Sequence, residues 1–347
     1  MESMDRKMKI YFAPLEGITG YVFRNVYEEC FGGVDAYFSP FISTTEKRKM
    51  RRKELNDILP EHNKGIRLVP QIMGNKAEDF LRTVSCIAEL GYDTVNLNLG
   101  CPSRTVVSKG KGSGFLAKPA ALNRFLEEVY AQTPVKISIK TRLGKDDPEE
   151  FVELLQIFNQ YPVEELIVHP RVQADFYKNS PNWEMFGEAV QSSTVPLCYN
   201  GDIFSLEDFQ RLLEQFPQVN RVMLGRGLLM HPGLARELLP EREAGSGQQW
   251  EPAWKEGSTD ARFSGQNGRP AITKEQIYHY ILLLQERYSE VLSGEIPVLF
   301  KMKEIWGFLI ESFQDGDKFR KKIHKCQSLA GYRRILEELF LNLELRN

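Results

Sequence analysis

The chain reads as an α/β protein, a TIM (β/α)8 barrel in residues 1–240 followed by a smaller all-α helical domain, and three observations predict this. Short apolar, β-branched runs alternate with stretches of helical periodicity up to about residue 240. Eight such runs are present, the number that closes into a parallel barrel when helices intervene. Beyond a segment with no sustained period, residues 241–270, helical spacing resumes and continues to residue 347.

The predicted strands fall at residues 10–13, 35–38, 68–72, 94–97, 135–139, 165–168, 195–199 and 221–224. Each is nearly continuous in apolar character, as a parallel strand covered on both faces must be. Helices are predicted at 77–90, 120–132, 148–159 and 206–215, where apolar residues recur three and four apart, as Phe80, Val84 and Ile87 do. Residues 241–270 turn to Gly, Ser, Gln and Glu with scattered Trp and read as a linker or inserted loop. Thr273 and Gln276 form a capping-box pair that opens a domain of two to four helices over 271–347.

A formal net charge of −2 over 347 residues excludes a chain that coats nucleic acid by bulk charge. Two local basic runs remain, 47–53 and 318–325, the second with its cations set around apolar anchors. The five cysteines, at 30, 86, 101, 198 and 326, form no CxxC pair and have no clustered histidines, so neither a zinc site nor a disulfide frame is expected. That usage suits a reducing cytoplasm. The charged N-terminus shows no leader, and no run approaches the ~20 apolar residues that a spanning helix needs.

In such a barrel, function gathers in the loops after the strands' carboxyl ends. The residues there are polar: Pro14-Leu15-Glu16, Gln71, Asn98 with Cys101, Lys140-Thr141-Arg142, His169-Pro170-Arg171, Asn200-Gly201-Asp202 and Gly225-Arg226. Cys101 sits between Gly100 and Pro102, a place suited to chemistry rather than packing, and alone it leaves nucleophile, acid and ligand open. Lys140 ends the apolar run KISIK; buried there, its ammonium requires an anion in the barrel mouth. The segments after strands seven and eight are where barrels commonly bind phosphate, and Arg226 adds a forked cation. Gln71 and the backbone of 14–16 suit the edge of a planar ring. Flavin mononucleotide (FMN) fits these demands. The run Gly110-Lys111-Gly112-Ser113-Gly114 lacks the third glycine of GxGxxG and does not open a helix from a strand, so a dinucleotide fold is excluded.

These residues carry a resemblance to the FMN-dependent tRNA-dihydrouridine synthases. It runs from APLEGIT at 13–19 through NLNLGCPS at 96–103 to YNGDI at 199–203, LGRG at 224–227 and the C-terminal helical domain. The resemblance implies reduction of the C5=C6 bond of particular uridines in tRNA, with NADPH as a transient reductant. Hydride would pass from flavin N5 to C6 and a proton from Cys101 to C5. It further implies that Pro14, Leu15, Glu16, Gln71 and Lys140 meet the flavin ring, and that His169 contacts its phosphate or the substrate base. Asn200, Gly201 and Asp202 would hold ribityl and phosphate, and Gly225 and Arg226 would complete the phosphate cup. Asn98 would face the target uracil. Arg171, Lys109, Lys111, Lys321 and Lys322 are the further RNA-binding candidates, with Lys109–Lys111 on a flexible glycine loop. Neither a membrane nor a stable protein partner is implied. An FMN barrel acting on a free pyrimidine would share the phosphate cup but gives no role to the helical domain.

Overall fold

The computed structural model describes residues 7–44, 46, 50–239 and 272–346. Residues 47–49 of the first basic run and the predicted linker 241–270 therefore lie outside the described residues. The described chain divides into two compact units.

The first unit takes in the chain up to Glu16, Asp35–Asp202 and Gln210–Leu224. Its strands are β1 (Lys9–Phe12), β2 (Ala36–Phe38), β3 (Ile42–Ser43), β4 (Leu68–Val69), β5 (Gln71–Met73), β6 (Thr94–Leu99), β7 (Lys136–Gly144), β8 (Leu166–Val172), β9 (Leu197–Tyr199) and β10 (Arg221–Leu224). All pair in parallel, in the order β3-β5-β6-β7-β8-β9-β10-β1-β2-β4. The sheet's two ends meet at Pro70. Proline has no N–H, so the ladder breaks into β4, paired with β2, and β5, paired with β3 and β6. The Pro70 carbonyl still accepts from the Asn96 amide at 2.9 Å, and the Ser39 hydroxyl receives the Gln71 amide at 3.0 Å. One stave thus spans the break, and eight staves close the barrel as the sequence predicts.

Tyr11, Ala13, Ala36, Phe38, Val69, Ile167, Cys198 and Met223 are buried together as the barrel's apolar filling. Helices Ala77–Glu89, Pro119–Gln132 and Glu150–Phe158 stand close to their predicted positions. Their buried stripes carry aromatic contacts such as Phe80 on Phe125, with ring centroids 5.5 Å apart. Such pairs add to area burial by about 1 kcal/mol.

The strand ends differ from expectation. β6, β7 and β8 run on to Leu99, Gly144 and Val172, so Asn98, Lys140, Arg142, His169 and Arg171 are strand residues rather than loop residues. The prediction ended each strand where its apolar run ended. The strands continue because polar residues occupy every second position, Asn96 and Asn98 on β6 and Ser138, Lys140 and Arg142 on β7, which a pleated strand sends to one face.

The second unit comprises Gly17–Val34, Ile203–Phe209 and the described residues from Gly225 on. Past residue 272 it has the helices Lys274–Val291, Glu295–Leu309, Asp317–Lys325 and Leu329–Asn342. The Thr273 side chain accepts from the Gln276 amide, and the Gln276 side chain takes the Thr273 amide at 2.9 Å, as the capping box requires. Helix Tyr21–Cys30, which follows β1 in sequence, joins this unit's core: Tyr280 meets Phe23 and Phe31 edge-on at 6.3 and 5.0 Å, and the Tyr27 hydroxyl donates to the Pro232 carbonyl at 2.7 Å. Among the described residues, no helix is long and apolar enough to cross a membrane.

Candidate active site

Strand register assembles the polar layers of the barrel mouth. Gln71 stands beside Asn96, Asn96 beside Ser138, and one pleat further on Asn98 stands beside Lys140. The amides form a continuous chain: Asn96 Nδ2 donates to Ser138 Oγ at 2.9 Å, Gln71 Nε2 to Asn96 Oδ1 at 2.8 Å, and Asn98 Nδ2 to Gln71 Oε1 at 2.7 Å. All four side chains are buried, and a satisfied polar network of this kind is rigid.

The last member of that chain sets the thiol's turn. Asn98 Oδ1 accepts the backbone N–H of Gly100 and of Cys101, each at 3.0 Å, while the Cys101 carbonyl accepts from the Ser113 amide at 3.1 Å and from Ser113 Oγ at 2.9 Å. The glycine loop expected to be flexible is packed here instead. A Cβ on Gly112, which has φ of +55°, would lie 2.8 Å from the Cys101 carbonyl, and one on Gly114 would lie 2.8 Å from that of Val107. Asn75 holds the Lys109 and Gly110 carbonyls at 3.0 and 3.1 Å, and Lys111 Nζ donates to the Thr44 carbonyl at 2.8 Å. The Lys109 side chain is exposed; the Lys111 ammonium is used inside the protein.

Burial pushes the Cys101 thiol up, with Glu16 adding to the rise, against a backbone contact at Ser103 and the cations Arg142 and Lys140 that oppose it. A raised thiol stays protonated at neutral pH. It is loaded as an acid, not as a thiolate nucleophile. Lys140 moves the other way, pushed down to about 8 by burial and by neighbouring Arg142. Lys140 is half-buried, and its ammonium has neither a hydrogen bond nor an ion pair among the described residues.

On the next strands the cations pair internally. Arg171, 2% exposed, donates through both terminal nitrogens to the Asp202 carboxylate, through Nε to the Lys178 and Asn179 carbonyls, through one terminal nitrogen to the Asn179 carbonyl again, and through the other to His169 Nε2 at 3.0 Å. Because a guanidinium only donates, His169 Nε2 accepts, and the ring's proton lies on Nδ1. Arg171 thus shapes the site through Asp202 and His169. Asn200 Nδ2 donates to the Met223 carbonyl at 2.7 Å and ties β9 to β10. Gly201 is demanded by the protein's own packing, since a Cβ there would lie 2.1 Å from Tyr199 Oη, which already accepts from Trp183 Nε1 at 2.9 Å. Pro14 and Leu15 are half-buried and Glu16 is exposed, directly after the Ala13 amide bonds the Leu224 carbonyl at 2.7 Å.

In the second unit, Gly225 precedes the short helix Arg226–Met230, and the Arg226 guanidinium lies 5.4 Å from the Phe204 ring centre. On helix Asp317–Lys325, Phe319 and Ile323 are buried and Lys321 is exposed. Lys322 pairs with Glu338 at 2.5 Å and lies over the Phe319 ring.

Two residue groups escaped sequence reasoning. Asn96 and Ser138 were legible only as alternate polar residues in apolar strands. Arg142 was noted as a polar strand-end residue, but its three carbonyl partners follow only from the fold.

A closed parallel barrel with a polar mouth, a half-buried protonated thiol and an unpaired ammonium defines an enzyme of the (β/α)8 class. The dihydrouridine synthase family model matches residues 11–341. The chain belongs to the dihydrouridine synthase family, a family of oxidoreductases. Among its relatives are a tRNA-dihydrouridine(16) synthase of Aquipseudomonas alcaligenes, 29% identical over 68% of this chain and 76% of that one, and the probable tRNA-dihydrouridine synthase 2 of Bacillus subtilis, 31% identical over 63% and 69%. Probable tRNA-dihydrouridine synthase 1 of Synechocystis is 31% identical over 68% of this chain and 66% of that one. Among solved structures, morphinone reductase aligns at 12% identity with a TM-score of 0.47, over 66% of this chain and 85% of that one.

Proposed function

We propose that this protein is a tRNA-dihydrouridine synthase that binds FMN across the barrel mouth, takes reducing equivalents from NADPH and reduces a uridine of tRNA, with Cys101 as the acid. The observation that carries the reading is Lys140: a half-buried ammonium with no hydrogen bond or ion pair among the described residues, one pleat above the Gln71–Asn96 amides and beside Asn98.

The residues present fit the cofactor. Lys140 would face the N1/O2 side of the ring, where negative charge collects on reduction, and Gln71 would meet the pyrimidine edge with the backbone of Pro14–Glu16 near it. Asn200, Gly201, Asp202, Gly225 and Arg226 would hold ribityl and phosphate. Reduced FMN supplies the hydride for C6 of the uracil.

The chain's own residues do the rest. Cys101 holds a proton on Sγ and gives it to C5, the carbon left electron-rich once C6 has been reduced. Asn98 holds the thiol's turn through Oδ1, spends one Nδ2 hydrogen on Gln71 and keeps the other for a uracil carbonyl. His169, neutral with its proton on Nδ1, would donate to the base or the phosphate. The uridine must leave its stack to reach this depth, so the RNA around it needs a separate grip, which we assign to the exposed cations of helix Asp317–Lys325, Lys321 foremost. The domain division we adopt is catalytic 1–240, a linker of 241–270 and an RNA-binding 271–347, and a cytoplasmic setting follows from the substrate.

The purified protein should be yellow, and once reduced by NADPH it should be reoxidised by unmodified tRNA with one dihydrouridine formed per flavin. Reoxidation by free uracil or uridine but not by tRNA would point instead to a small-molecule dehydrogenase.

A further inference from the structure

Arg142 is 1% exposed, yet among the described residues no carboxylate holds it by a hydrogen bond. Instead Nε donates to the Gly100 carbonyl at 2.9 Å, one terminal nitrogen to the Val172 carbonyl at 2.9 Å and the other to the Phe176 carbonyl at 2.7 Å. Gly100 immediately precedes Cys101. Val172 ends β8 and Phe176 lies in the loop that follows, at φ of +53°, a conformation that a residue with a side chain rarely keeps unless its surroundings impose it. The Tyr177 ring lies beneath the same guanidinium, 5.6 Å from its central carbon. Asn98 and Ser113 hold the N–H groups and the carbonyl of the thiol's own turn, and Arg142 fastens this turn to the neighbouring loop.

We propose that Arg142 is a positioning residue for Cys101, a three-carbonyl clamp that locks the thiol's turn and the Phe176–Tyr177 tip in one register. The inference rests on the acid role given to Cys101 above. Only a guanidinium has donors spread widely enough to serve three carbonyls from one side chain; an ammonium on a flexible stem satisfies one or two and fixes none in a plane. Freed from the clamp, the turn drifts relative to a substrate base held by other residues, and a displacement of about 1 Å is enough to cost roughly 10²-fold in rate.

The test uses the flavin-loaded protein with Arg142→Lys and Arg142→Met. Three quantities are measured: flavin reduction by NADPH, reoxidation by tRNA, and the high-pH plateau of Cys101 alkylation by iodoacetamide, read on the Cys101 peptide. That plateau reports access to the sulfur rather than the thiolate population. The clamp predicts unchanged reduction, reoxidation slowed roughly 10- to 10²-fold in both variants, and an alkylation plateau raised several-fold in both. Normal reoxidation with Lys in place would show that only the charge matters and would overturn the proposal. So would an unchanged alkylation plateau in either folded variant. If the Met variant does not fold, the Lys variant, which keeps the buried cation, decides alone. If the wild-type protein is not reoxidised by tRNA, the functional reading fails, and the alkylation contrast still decides the role of Arg142.

Discussion

On the proposed function, Lys140 costs the flavin-free barrel stability that a bound flavin would restore. Its pKa when folded is about 8, below the ordinary ~10.4 of the unfolded chain, so between those values the unfolded state binds more protons. Stability of the flavin-free protein therefore rises with pH from about 8 to about 10.4, and below 8 the full penalty applies. Lys140→Met should abolish that rise, raise the melting temperature of the flavin-free protein at neutral pH and weaken flavin binding, all visible in melts and flavin titrations across pH. Gly201 is constrained without any ligand. Gly201→Ala drives a methyl toward the Tyr199 hydroxyl and should cost ~1–3 kcal/mol by denaturant unfolding. Residue chemistry of this sort was partly legible in the chain: the Gly-Cys-Pro turn and the lysine ending KISIK both announce themselves. The Arg171–Asp202 pair did not, because Arg171 lies on β8 and Asp202 in the loop after β9, 31 positions apart, and no local pattern couples them.

At the scale of elements, the eight staves were readable because buried parallel strands write continuous apolar runs, and the amphipathic helices 77–89 and 119–132 because their apolar stripes keep a 3.6 period. The strand ends were not, since Asn98, Lys140, Arg142 and His169 break the apolar run while obeying its period of two. The predicted strand 68–72 runs through Pro70, which splits it into β4 and β5 although the proline carbonyl keeps the stave paired to β6. The helix Asp317–Lys325 shows its basic face directly in the sequence, but not which of its cations are already engaged. Lys321→Ala should weaken tRNA binding and lower the salt slope by about one. Lys322→Ala should do less, because Glu338 already neutralises that ammonium. Equal effects of the two, measured by titration at several salt concentrations, would contradict this ranking.

For the molecule as a whole, helix Tyr21–Cys30 was invisible as a member of the second unit, because sequence order puts it directly behind β1 while its aromatic stripe packs on Tyr280. The chain therefore builds a barrel whose polar mouth is set by strand register and a helical unit made from both early and late segments. The proposed activity depends on the thiol in that mouth. The most direct test is single-turnover reoxidation of NADPH-reduced Cys101→Ala by unmodified tRNA. With Cys101 as the acid, the variant should show normal flavin content, normal reduction, and reoxidation slowed by ~10²–10⁴, the loss expected for a missing general acid. Reoxidation at the wild-type rate, with dihydrouridine formed, would contradict it.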